Sequence, residues 1–487
     1  MKTLSLALGL SLLLFCVACG SGSSPAGPSP NGNFSNASLN GQYTYQFSGL
    51  DLGASPNLLY VRSGVFTANG TGGIGSGTDD FSEGTAISTP VTGSYSVSND
   101  GTETLTLAFP TGSITFALTL ASSSKVYMVE SDFNLVGAGV AEKQTTSAFA
   151  SVPQGTFAFR KHDVNASLAS ISSVGAMTVV SGAISGGEDV NQSGTVSSLT
   201  LTGGLLNAPD PATGRGTGSV TDSNGLTSSF NYYVVDANNL RFMSTVSGDI
   251  GLGHAELQTG GPFSNASISG SYAFGAHGDT ANFFNGFQLV GRYTADGNGN
   301  LSAGAFDNQR DATPASNISF MGTYSVAANG RATVTTNTST GSSQRIYWLV
   351  NSSRAFFITT DALTEAEGTV DKQTASSFST SSMIGQYALV MTGFDVTPET
   401  LDRVATLQWD GVGHLTLNEF VNASGSTNVP GFLGGSYSVS SNGRVTGTIN
   451  GLTNNVDLVL YLVSGNDAYV LQSDSGTEIG GVLSKQQ

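Results

Sequence analysis

Gly41-Gln42-Tyr43-Thr44-Tyr45 is a phrase the chain repeats. It returns as Gly155-Thr156-Phe157-Ala158-Phe159, as Gly270-Ser271-Tyr272-Ala273-Phe274 and, weakened, as Gly385-Gln386-Tyr387-Ala388-Leu389. The copies lie 114, 115 and 115 residues apart. A fixed period of this kind marks a tandem array, in which each copy is one folding unit of a common pattern. Inside each copy the aromatic residues stand two apart, so they share one face of a strand.

The third copy shows what surrounds the phrase. Strand patterns run over 271–276, 287–295, 301–306, 318–326, 331–336, 344–350, 354–360 and 367–372. Asp296-Gly297-Asn298-Gly299 reads as a hairpin turn. Asn329-Gly330 reads as a two-residue hairpin with positive φ at both positions. A second phrase, Gly322-Thr323-Tyr324-Ser325-Val326, recurs as Gly93 to Val97 and Gly435 to Val439, and in the divergent second unit as Gly216 to Val220 without its Tyr. That unit also carries an extra loop around Asn207 to Gly214, and the four units close on Gln144, Gln258, Gln373 and Gln486.

Eight strands with short connections predict an all-β fold: four tandem eight-stranded antiparallel meander β-barrels of about 115 residues each. Repeats of a two-sheet β-sandwich are the alternative. The units fall at 37–150, 151–263, 264–376 and 377–487, and tandem domains of this size are expected to share only limited interfaces. The opener, the Asp-Gly-x-Gly turn and the central Gly-x-Tyr make each repeat similar in layout to avidin-like and lipocalin-like (calycin-like) barrels. The ligand motifs of both families are missing.

At 487 residues the chain exceeds what one core supports. Only 10% of its residues are charged, against about a quarter in a typical domain. The formal net charge of −17 and the lack of a basic stripe argue against nucleic acid as a partner.

Met1-Lys2 precedes an apolar run from Leu4 to Val17, too short to span a bilayer as a helix but suited to a signal-peptide core. The run ends in Cys16-Val17-Ala18-Cys19-Gly20. This junction resembles the lipobox of bacterial lipoproteins, with Cys16 where that family has Leu. The resemblance implies a signal peptide over 1–19, lipidation of Cys19 and, since Gly20 is not Asp, the outer membrane of the cell envelope. More widely, the chain resembles uncharacterised bacterial lipoproteins with tandem β-rich repeats, which bring no known activity. Cys16 and Cys19 are the only cysteines, so the chain beyond Cys19 holds no thiol for a disulfide, a metal or catalysis. Residues 20–36, rich in Gly, Ser, Pro and Asn, read as a flexible tether.

No catalytic, metal or cofactor site is read from the sequence. No two of His162, His254, His277 and His414 are close enough in the sequence to form a spaced metal pair, and they read as surface or turn residues. Asp296, Asn298 and Asn300 imitate the front of a calcium loop, without its downstream acid. Carboxylates follow the third strand of each unit: Asp79 and Asp80, Glu188 and Asp189, Asp307, Glu419. They are expected in solvated turns; held as a pair, they would permit glycoside hydrolysis. Tyr43, Tyr45, Phe157, Phe159, Tyr272, Phe274 and Tyr387 face one way, as barrel core or as the wall of a ligand cup. The expected role is that of an exported, lipid-anchored protein of the cell envelope. It would be non-enzymatic, with a structural or interaction role through its four β domains, toward other envelope proteins or glycans. A binding protein for a small apolar ligand or glycan inside the barrels is the alternative, and a glycosidase the second.

Overall fold

The computed structural model describes residues 33–280, 286–362, 364–395, 400–451 and 455–487. The signal segment, Cys19 and the tether up to residue 32 lie outside them. The described chain forms four closed antiparallel barrels of eight strands each, in simple meander order, with a radius of about 8 Å. Barrel 3 uses Ser269–Thr280, Gly286–Asp296, Asn300–Arg310, Thr313–Val326, Arg331–Asn337, Ser342–Asn351, Arg354–Thr359 and Thr364–Lys372. Its first strand pairs with the second and also with the eighth, from Tyr272 opposite Lys372 to Thr280 opposite Thr364. That pairing closes the sheet and excludes the sandwich. The strands outrun the alternating stretches of the sequence because some are covered on both sides. Gly286–Asp296 is buried along nearly its whole length.

The aromatic phrase builds the barrel cores. Its Gly takes φ between +104° and +118° in all four copies, a conformation without cost only for glycine. Tyr272 stacks on Tyr293 at 5.6 Å, and Phe274 meets Phe357 edge-on at 6.3 Å. The phenols are spent on backbone. Tyr272 donates to the Ser352 carbonyl at 2.7 Å, as Tyr43 does to Ser123 and Tyr387 to Gly465, each at 2.5 Å. The second phrase works the same way: Tyr95, Tyr324 and Tyr437 donate to the carbonyls of Leu39, Ile268 and Met383. Those three residues follow the short 3-10 turns at Asn36–Ser38, Asn265–Ser267 and Thr380–Ser382.

Two expectations change. In unit two, Gly216 to Val220 lies on the fifth strand, Arg215–Asp222, whereas the second phrase ends the fourth. Leu206 is the true counterpart of Tyr324. Its amide bonds Gly182 O at 2.7 Å as that of Tyr324 bonds Gly299 O at 2.8 Å. Substitution of Tyr by Leu hid the copy. The loop at Asn207 to Gly214 therefore lengthens the hairpin between strands four and five.

The barrels are also not beads on a string. The opening strands of each barrel pack on the closing strands of the next, and those of barrel 4 pack on the sixth to eighth strands of barrel 1. Repeated head-to-tail contacts of this type either grow as a filament or close, and here four of them close into a ring. One face of the ring gathers the loops near Gly84 and Gly248, Gly194 and Ala362, Ala312 and Gly476, and Asn134 and Gly425, each pair in contact across a seam. The other face carries the linkers between barrels and both described ends of the chain. The limited interfaces expected of tandem domains are replaced by four full seams, because the outer faces of the opening strands carry residues that need cover, such as Ala158, Val174, Ala273, Val290, Ala388 and Val404.

The Asn329-Gly330 turn joins fold to ring. It is a four-residue loop, with Gly330 N bonding Ala327 O at 2.9 Å and Ala327 N bonding Arg331 O at 2.8 Å. Gly330 has φ +91°, while Asn329 is not among the positive-φ residues. The turn is thus the longer type closed by a glycine bulge, not the two-residue form. A Cβ on Gly330 would stand 2.8 Å from Gln258 Nε2 and 3.0 Å from the Phe263 ring, both in the approach from barrel 2. Gly330→Val is therefore expected to cost about 1–3 kcal/mol through backbone strain and to loosen the seam between barrels 2 and 3. Ala328→Ser should do neither. Denaturant unfolding of the full chain checks this, and equal midpoints for the two variants would contradict the turn geometry.

Candidate functional site

The chemistry-bearing residues of this chain meet between barrels. Each unit's closing glutamine reaches into the next barrel, between the hairpin joining its fourth and fifth strands and its sixth strand. Gln144 Nε2 donates to Val234 O at 2.7 Å and Thr213 O at 3.1 Å; Gln258 Nε2 donates to Leu349 O at 2.6 Å and Asn329 O at 3.3 Å. Gln373 Nε2 reaches Leu462 O at 2.7 Å and Asn442 O at 3.2 Å. Gln486 Nε2 reaches Leu120 O at 2.8 Å and Asp100 O at 3.0 Å, which brings the end of the chain back to barrel 1. The next residue adds a backbone bond every time: Thr145, Thr259 and Thr374 to Val235, Val350 and Val463, and Gln487 to Ala121. Phe34, Phe149, Phe263 and Phe378 pack on the turn glycines Gly101, Gly214, Gly330 and Gly443. Phe34 sits in the stretch read as tether, yet its amide bonds Asn99 O at 3.2 Å.

The carboxylates expected in solvated turns instead lie on strands, all buried except the half-buried Glu188. Strand alternation sends neighbours opposite ways. Asp79 points into barrel 1, where Tyr45 donates to it at 2.5 Å and Arg62 at 2.6 Å. Asp80 points out, to Arg215 of barrel 2, with Nε at 2.7 Å and Nη2 at 3.0 Å, and to the Tyr233 hydroxyl. Asp189 accepts from Arg331 twice at 2.8 Å, from the Trp348 indole at 2.8 Å and from Ser198 at 2.5 Å. Asp307 accepts from Arg444 at 2.8 and 2.6 Å and from Tyr461 at 2.7 Å. Burial works to raise the Asp307 pKa, but Arg444 and Tyr461 hold it below the ordinary carboxylate value. Glu188 and Glu419 occupy the inward register position of Asp79, which is Phe306 in barrel 3. Asp79 and Asp80, like Glu188 and Asp189, therefore diverge rather than flank a common bond.

At the seam between barrels 4 and 1 the outward set changes as a whole. By strand register, Asp becomes Phe420, Arg becomes Thr102 and the aromatic donor becomes Thr119. Removing one partner of a buried pair strands a charge at about 3–5 kcal/mol, whereas replacing the whole set by uncharged residues is close to neutral. Asn418 Nδ2 to Asp100 at 2.9 Å, Tyr127 OH to Ser484 Oγ at 2.8 Å and Asn422 Nδ2 to the Glu130 and Leu135 carbonyls at 2.8 Å are among the polar contacts there.

Where the four barrels meet, charges interlock. Arg241 of barrel 2 bonds Glu142 of barrel 1 at 2.6 and 2.8 Å, and Tyr469 of barrel 4 bonds Asp371 of barrel 3 at 2.6 Å. Burial opposes the Arg354 charge, but Asp371, Glu256, Tyr469 and Glu142, drawn from all four barrels, raise its pKa above the ordinary value. His254 is buried nearby, and desolvation together with Arg241, Arg160 and Arg354 pushes its pKa well below the usual range. His162, His277 and His414 also stand on strands, but His277 and His414 are exposed, as expected of surface residues, and His162 is half-buried, so the buried His254 is the one that departs from the expectation.

The aromatic residues read as core or ligand wall are all buried: Tyr43, Tyr45, Phe157, Phe159, Tyr272, Phe274 and Tyr387. The void beside Tyr272 in barrel 3 measures about 10 Å³, at the lower limit for a single water. A far larger cavity, about 640 Å³, opens in the seam between barrels 2 and 3. Thr156, Thr178, Gly187 and Ser198 line it from barrel 2, and Asn329, Arg331 and Trp348 from barrel 3, with Gln258 and Phe263 of the linker. Sequence reading missed this site because much of its lining is ordinary Ser, Thr and Gly; the recurring closing Gln and the acids Glu188 and Asp189 were the available signals, but they were read as a repeat mark and as solvated turn residues.

Asp296 puts its carboxylate on the amides of Asn298 and Asn300, at 2.7 and 3.0 Å, as a turn cap. Among the described residues no group of His, Cys, Asp and Glu could hold a metal. No protein-family model, no curated protein and no solved structure matches the chain. Fold and seams together define its class: a single-chain ring of four β-barrels.

Two outcomes follow. Gln486→Ala should cost about 1–3 kcal/mol, since it leaves buried carbonyls unpaired, and should speed hydrogen exchange in 112–130 and 384–410 before other segments; uniform exchange would refute a seam closed by Gln486. Glu103 lies inside barrel 1 without a hydrogen-bond partner among the described residues, and burial pushes its carboxyl up to about 9. An unfolded Glu ionises at about 4.3, so the unfolded chain loses this proton first and stability falls as pH rises from about 4 to 9. Glu103→Gln should raise the melting temperature more at pH 8 than at pH 5, and a gain of equal size at both would count against the buried acid.

Proposed function

We propose that the chain is an exported lipoprotein of the bacterial cell envelope, held in the outer membrane through Cys19, whose barrels form one rigid scaffold. Its role is non-enzymatic: structural support or interaction with other envelope proteins or glycans. The observation that carries this reading is ring closure. The Gln486 contacts repeat those of Gln144, Gln258 and Gln373, so the body moves as one piece rather than as four tethered domains. The tether enters at Phe34 on the linker face, which turns the loop face away from the lipid. The resemblance of residues 1–19 to a lipobox signal, and of each unit to calycin-like barrels, supports an extracytoplasmic address. Several acyl chains give firm anchoring where one alone gives marginal binding. A net charge of −17 disfavours nucleic acid as a partner.

Cys19→Ser is expected to abolish fatty-acid labelling and to move the protein from the membrane fraction to the soluble fraction, with its melting temperature unchanged. Retention of the variant in the detergent phase would overturn the lipoprotein reading.

A further inference from the structure

The seam between barrels 2 and 3 differs from its three counterparts in what fills it. At the register position of Thr156 barrel 1 has Gln42, which crosses to Ala212 O at 2.8 Å, and barrel 4 has Gln386, which crosses to Asp100 O at 3.2 Å. In barrel 3 the same ground is covered by Arg292, whose guanidinium lies on Ala303 O, Ser271 Oγ and Thr294 Oγ1. Register puts Ala176 opposite Ala158 in barrel 2, where Arg292 stands opposite Ala273 in barrel 3. Thr156 and Thr178, only 2.9 Å apart, bond each other and do not cross the gap. Across it, the Trp348 ring comes within 3.4 Å of where a Cβ on Gly187 would lie. The result is the cavity of about 640 Å³, inside the roughly 300–1,000 Å³ range of small-molecule sites.

The chemistry of the walls selects the occupant. Arg331 and Asp189 neutralise each other by two parallel hydrogen bonds, so the floor offers donors without net charge. Glu188 also borders the space but lies on the inward register of its strand, where burial raises its pKa against the opposing pull of Lys161. Hydroxyls of Thr156, Thr178, Ser198 and Thr200 and the side-chain amide of Asn329 surround the space. Ser198 donates to Asp189 and the two threonines share one bond, which leaves the Thr200 hydroxyl, one threonine donor and the remaining acceptor sites for a ligand. Thr200 and Ser198 are exposed at the rim. Indole and phenyl edges from Trp348 and Phe263 supply apolar contact. We propose that this cleft binds a neutral, hydroxyl-rich oligosaccharide segment two to three sugars long. This goes beyond the scaffold reading and does not depend on membrane anchoring.

The test is calorimetric titration of the purified full-length protein with maltotriose, cellotriose and triacetylchitotriose, and with trigalacturonate as the acidic comparator. At least one neutral trisaccharide should bind at one site per chain, and more tightly than trigalacturonate. Thr156→Gln, which installs the residue found at two other seams, should weaken binding by about tenfold or more. Ser271→Gln, the same change at the seam between barrels 3 and 4, should leave binding intact. Thr200→Arg narrows the rim from an exposed position and should weaken binding even if Thr156→Gln disturbs folding. Absence of binding by all three neutral sugars, tighter binding of trigalacturonate, or full affinity in both cleft variants would overturn the proposal.

Discussion

The structure depends on a side-chain amide that each unit inserts into the next. A glutamine donating to two carbonyls fixes distance and angle at once, because both bonds are short only in one arrangement of the two barrels. The same arrangement applied four times must either advance along an axis or return to its start. Here it returns, and the last glutamine of the chain meets the first barrel. Closure removes the free ends that a linear array would leave, so every barrel has its opening strands covered by a neighbour. This explains why those strands are buried on both faces although each belongs to a closed barrel.

Charge is scarce in this chain and concentrated where barrels touch. Asp80, Asp189 and Asp307 are buried on the outside of their barrels, each answered by an arginine and an aromatic donor of the next unit. A buried carboxylate is tolerable only with such partners. The closing seam shows the same rule from the other side, since all three members are exchanged together for Phe420, Thr102 and Thr119. The repeats record this coupling internally, one seam against another. What looks in the sequence like a run of acids after the third strand is the ion-pair set of a ring.

Departures from fourfold symmetry then carry the information that the repeats cannot. Three seams are filled by Gln42, Arg292 and Gln386; the fourth is left open over small hydroxyl residues. In the barrel interiors the paired aromatic rings that define each unit occupy the space, and the void beside Tyr272 in barrel 3 measures only about 10 Å³. Any ligand chemistry is thereby shifted from the inside of a barrel to the space between two.

The sequence by itself determined the number of units, their length, the eight-strand count and the meander order. Those features follow from local rules: period-two alternation, glycine at turns and the aromatic phrase at a fixed interval. It also marked Tyr43, Tyr45, Phe157, Phe159, Tyr272, Phe274 and Tyr387 as residues of one face, which the core contains. It did not reveal the ring, the seams or the cleft. Burial of a strand's outer face leaves no periodic signature, so Asp80 and His254 read as exposed although both are covered by or packed near other barrels. The closing glutamines were visible as a repeat, but their partners lie 69 to 386 residues away along the chain. Only the tertiary structure could decide that four such distant pairs close a circle, because closure depends on the rotation between barrels, and no local stretch of residues encodes that angle.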